Sequence, residues 1–97
     1  MTKNEILEYL SNQKENFNSK YQISNVILFG SYAKEKNRKD SDIDIAIDTK
    51  LSDYFLLYDL KEDLENRFRT KVDLVRMRDK MNPFLKKRIL KEGIYVW

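Results

Sequence analysis

The chain has 97 residues, 41% hydrophobic and 36% charged, with two glycines and one proline, which predicts one globular domain over 1–97 and excludes a disordered or loop-rich chain. It has no cysteine, which excludes disulfides and suits a reducing cytoplasm, and no histidine, so any acid–base or metal chemistry falls to carboxylates. A formal charge of +3 is too mild for a nucleic-acid footprint, Glu5 and Glu8 break up any apolar leader, and no apolar run reaches the ~20 residues of a bilayer span, so neither nucleic acid nor membrane is expected as a partner.

Thr2 with Glu5 forms the T-x-x-E capping pattern, and Ile6, Leu7, Leu10 and Phe17 follow at near-helical spacing, predicting a helix over 3–18. Val26 to Phe29 is a β-rich apolar run ended by Gly30, hence a buried strand. Residues 32–40 are polar and basic, a loop or short helix. From Asp42 to Asp48 the pattern alternates: Ile43, Ile45 and Ile47 share one face of a strand, while Asp42, Asp44, Ala46 and Asp48 share the other. Ser52 is a candidate cap for a helix over 53–68, carried by Leu57, Leu60, Leu64 and Phe68. Lys71 to Arg76 reads as a strand. Asn82-Pro83 starts a last helix with stripe residues Leu85, Ile89 and Leu90, Gly93 stops it, and Ile94 to Trp97 packs back on the body or serves as an interface. The predicted fold is α/β (α+β): a small mixed sheet of three to four strands flanked by helices.

Asp42 and Asp44 leave the same side of a strand, where two ionised carboxylates repel. A divalent cation reverses that penalty, and hard oxygen ligands suit magnesium held together with substrate phosphates. Two such ions can clamp the attacking and leaving oxygens of a phosphoryl transfer. Gly30 ends an apolar strand and lets a phosphate approach the backbone; the amides that follow attract anions, and Ser31 adds a hydroxyl. Asp73 interrupts the apolar run Val72, Leu74, Val75, so it faces either solvent or a site.

Gly30-Ser31, ten intervening residues, Asp42-x-Asp44 and the later Asp73 together resemble the nucleotidyltransferase fold shared with DNA polymerase beta, and within it the minimal nucleotidyltransferases, the MNT-type antitoxins of bacteria and archaea. The resemblance covers nearly the whole chain. It implies that Gly30 and Ser31 hold the β- and γ-phosphates of ATP, that Asp42, Asp44 and Asp73 coordinate two magnesium ions, and that Asp73 also deprotonates or orients the attacking hydroxyl. It further implies a cytoplasmic enzyme that adds AMP to a tyrosine of a HEPN-type ribonuclease toxin, in a hetero-oligomer with it.

Two positions depart from the pattern. Members often carry arginine after Gly-Ser and glycine a few places on, where this chain has Tyr32 and Glu35. Lys34 either replaces the arginine as a phosphate contact or is a surface lysine, and Lys36, Arg38 and Lys39 either attract the triphosphate or are a solvated loop. Tyr54, Phe55 and Tyr58 read first as core packing, with a partner-docking patch as the alternative, and Lys86-Lys87-Arg88 as the solvated face of the last helix. Two other functions stay open at this stage: an antitoxin that neutralises by contact with a vestigial site, and nucleotidyl transfer to a small molecule or nucleic acid.

Overall fold

The computed structural model describes residues 1–97 as a four-stranded mixed sheet in the order β3-β2-β1-β4. The strands are β1 (Ile23–Phe29), β2 (Ile43–Thr49), β3 (Val72–Arg76) and β4 (Ile94–Tyr95); the helices are α1 (Lys3–Asn12), α2 (Lys14–Tyr21), α3 (Gly30–Ala33), α4 (Tyr54–Phe68) and α5 (Pro83–Glu92). β1 pairs antiparallel with β2 and β4, and β2 pairs parallel with β3 through the α4 crossover.

The first helix is shorter than its spacing predicts. The capping box of Thr2 and Glu5 is present, but the helix turns at Gln13, whose amide bonds back to the Leu10 carbonyl at 3.1 Å, and α2 restarts at Lys14. The break leaves Ile6 and Leu10 on one piece and Phe17 and Tyr21 on the other facing the same core. Asp53, rather than Ser52, caps α4 by accepting from the amides of Phe55 and Leu56. Asn82 caps α5 in the same way, with Pro83 at its first turn.

The sheet is covered on both faces, unequally. Val26 and Leu28 of β1 and Ile43, Ile45 and Ile47 of β2 join Val72 of β3 in the larger core, against α1, α2 and α4. The opposite face carries a smaller core of Ile27, Phe29, Ala46, Met81 and Ile89, closed by α5 and the segment that leads into it. Burial of this kind stabilises by roughly 25 cal/mol per Å² of apolar surface. The tail is a strand, not a loose end. Val96 and Trp97 exchange backbone hydrogen bonds with Val26 at 2.8 and 3.0 Å, and the Trp97 indole Nε1 donates to the Leu10 carbonyl at 2.8 Å.

The aromatic trio of α4 overturns the core reading. Tyr54, Phe55 and Tyr58 are 74%, 85% and 56% exposed, because α4 turns Leu57, Leu60, Leu64 and Phe68 inward and these three lie off that stripe.

Candidate active site

The α5 face of the sheet changes character along β2. Toward its C-terminal end Ala46 sits in the small apolar core; toward its start stand Asp44 and, just before the strand, Asp42. The parallel register puts Asp44 directly beside Asp73, and the antiparallel register puts it beside Phe29, the residue before Gly30. One half of the face is therefore dry under α5, and the other half is open and acidic.

The electrostatics follow from that placement. Asp44 is half-buried, whereas Asp42 and Asp73 are exposed. Burial first, then the Asp73 carboxylate, pushes the Asp44 carboxyl up to about 6, with Asp42 adding to the rise and Arg88 opposing it. Gly30 is the only residue type its position accepts. Its φ of +76° lies in the left-handed region, and a Cβ there would run into the Asp44 carboxylate. The glycine is thus what lets the Gly-Ser turn and the carboxylate meet. Ser31, half-exposed, follows at once in the single turn of α3.

Both departures from the family pattern have a physical account. Tyr32 is 4% exposed and packs into the larger core, so its side chain leaves the site altogether. Glu35 takes a φ of +56°, the conformation a glycine would supply, so the backbone keeps the turn while the residue bears the strain. Lys34 is held by Glu92 at 2.9 Å, which ties the loop after α3 to the end of α5 and draws the Glu92 carboxyl below its usual range.

Sequence reasoning left Arg88 on a solvated helix face. The residue is exposed, as that reading has it, and its guanidinium also lies over the Phe29 ring, 5.8 Å from the centroid, with its charge acting on Asp44. The signal was available: Arg88 is one residue before the buried Ile89 and four before Glu92, so it flanks the packed stripe of α5.

No three acidic side chains are gathered tightly enough to enclose a metal ion on their own. Asp73 and Asp42 still stand close enough to Asp44 for both charges to raise its carboxyl. The donor set nonetheless fits magnesium. The ion is commonly held by one or two carboxylates with the rest of its shell from water and phosphate, and the Asp44–Asp73 pair is destabilised in a way a cation would relieve.

A mixed sheet with paired carboxylates beside a Gly-Ser turn defines the nucleotidyltransferase class. The family profile described as polymerase beta, nucleotidyltransferase matches residues 4–97, and the chain belongs to that family. A Methanocaldococcus jannaschii protein provisionally named a protein adenylyltransferase is 39% identical over 98 residues, covering 98% of both chains. The protein adenylyltransferase MntA of Thermococcus cleftensis is 30% identical, covering 99% of this chain and 97% of its own. Among solved structures, a provisionally named minimal nucleotidyltransferase superposes with a TM-score of 0.77 at 27% identity, over 97% of this chain and 95% of the other. A toxin–antitoxin structure with AMP-PNP gives a TM-score of 0.74 at 26% identity, over 90% and 72%. A tri-AMPylated Shewanella oneidensis HEPN toxin in complex with MNT antitoxin gives 0.73 at 23% identity, over 99% and 72%, and speaks for the fold.

Proposed function

We propose that this nucleotidyltransferase is an antitoxin that transfers AMP from ATP to a tyrosine hydroxyl of a HEPN-type ribonuclease partner. The observation that carries the reading is the Asp44–Asp73 pair abutting Gly30-Ser31, where a triphosphate has backbone to approach and carboxylates to face. The names of the T. cleftensis and M. jannaschii relatives support AMP as the transferred group, and the HEPN–MNT complex supports the partner.

In this reading Gly30 and Ser31 bind the β- and γ-phosphates. Asp42, Asp44 and Asp73 would hold two magnesium ions, which supply charge neutralisation at the transferred and leaving groups. Asp73, the more exposed member of the pair, orients the tyrosine hydroxyl and takes its proton. A bond forms from the tyrosine oxygen to the α-phosphorus as the bond to the β-phosphate oxygen breaks, and pyrophosphate leaves. The test is the mass of the partner after incubation with this chain, ATP and magnesium. One or more AMP additions are expected, reduced at least about a hundredfold in rate by Asp44→Asn. Modification that persists undiminished in both Asp42→Asn and Asp44→Asn would discard the site assignment.

A second reading has its own observation. Tyr54 and Tyr58 line an apolar cleft with Leu57, Leu74 and Val75, Phe55 stands exposed beside Tyr54 in sequence, and Lys61, Arg76 and Arg78 at the cleft form no ion pair. Such a surface suits contact with an acidic face of the partner, and neutralisation by contact alone would run through it. Neutralisation that survives Asp42→Asn but fails in Tyr54→Ala with Tyr58→Ala would select this reading.

A further inference from the structure

Arg88 lies over Phe29, the residue before the Gly30-Ser31 turn, and its charge acts on Asp44, yet no motif assigns it a part. Three observations converge on it. Its guanidinium rests over Phe29, 5.8 Å from the ring centroid, directly before Gly30-Ser31. The loop lysine that could have served, Lys34, is engaged by Glu92 at 2.9 Å, one helical turn beyond Arg88 on α5. The position after Gly-Ser holds Tyr32, whose buried ring cannot reach a ligand.

We propose that Arg88 of α5 supplies the cationic contact to the β- and γ-phosphates that Tyr32 and the Glu92-bound Lys34 do not provide. This rests on the nucleotidyltransferase reading of the Gly30-Ser31 site. A guanidinium suits the role because its fork of N–H donors matches phosphate oxygens two at a time, and stacking on an aromatic face holds the fork in place before the ligand arrives. The stacking partner is itself fixed: Phe29 is 2% exposed, in the small core with Ile89. The Lys34–Glu92 bond anchors the same helix to the loop that leaves the Gly-Ser turn, so the two phosphate-facing segments are held together. Lys87 and Lys91 of α5 lie with Pro83 and Leu90 in a different hollow and are not part of this arrangement.

The experiment is equilibrium binding of magnesium-ATP and, separately, of AMP, with unliganded thermal melts of every variant. Arg88→Ala should weaken ATP about ten- to a hundredfold, the range for losing a charge-assisted contact, and leave AMP affinity and the melt unchanged. Arg88→Lys should recover part of the loss, since it restores the charge without the fork. Lys87→Ala should bind as the unaltered chain does. Equal weakening of ATP and AMP, or unchanged ATP affinity in Arg88→Ala, would overturn the proposal. If the unaltered chain itself fails to bind magnesium-ATP, the nucleotidyltransfer reading falls and takes this one with it; loss confined to Arg88→Ala separates the two.

Discussion

The two faces of β2 make opposite contributions. Ile43, Ile45 and Ile47 are each no more than 2% exposed and pack into the larger core. Asp44, between them in sequence, is pushed up to about 6 by burial and by Asp73. Alternating residues of one strand therefore stabilise the fold on one side and strain it on the other. The difference teaches that the carboxylates are held in place by the isoleucines against their own repulsion, a sign that the cost is tied to function.

Breaking the dry face should cost most. Ile45→Ala removes a wholly buried side chain and is expected to destabilise by about 2–5 kcal/mol, read from a denaturant midpoint shift at constant slope. Gly30→Ala, at the boundary between strand and site, should cost about 1–3 kcal/mol from its φ of +76° and the collision with Asp44. Pairing it with Asp44→Gly, which removes the collision, should recover part of that loss.

The wet face should respond in the other direction. Asp44→Asn is expected to stabilise the unliganded chain by about 1 kcal/mol at pH 8, a figure reduced for solvent screening of a half-exposed group, and to raise the melting temperature by about 5 °C. The sign fixes the pH dependence. Asp44 has a folded pKa of about 6 against an ordinary 3.8, so its contribution is fully present below 3.8 and is lost as pH rises through about 6. Melts should show that decline in the unaltered chain and not in Asp44→Asn; a parallel decline in both would assign it elsewhere. Smallest of all, Glu35→Gly should be neutral to stabilising by about 0.5 kcal/mol, because relief of the left-handed φ is offset by glycine's extra freedom when unfolded.

Much of this was legible from spacing alone. The period-two run from Asp42 to Asp48 gives the strand and its two faces, and the leucine steps of α4 give its buried stripe. Gly30, Ser31, Asp44 and Asp73 do meet at one end of the sheet. What spacing could not carry was tertiary. The break at Gln13 keeps two short apolar faces on one core, which a continuous 3.6-residue period hides. Exposure of Tyr54, Phe55 and Tyr58 depends on which side of α4 meets the sheet. Arg88 looked like one of three consecutive cations, and only the seating of α5 against Phe29 separates it from Lys86 and Lys87.

The Trp97–Leu10 hydrogen bond joins residues 87 positions apart, and β4 pairs with β1 through Ile27 with Tyr95 and Leu28 with Ile94. Closing segments this far apart costs loop entropy, though the cost grows only slowly with length. α5 lies immediately before β4, so the sheet edge that Ile94 and Tyr95 complete also fixes the helix bearing Arg88. The last residues of the described fold thus brace the small core as well as the sheet, and loosening β4 is expected to loosen the seating of α5 over Phe29.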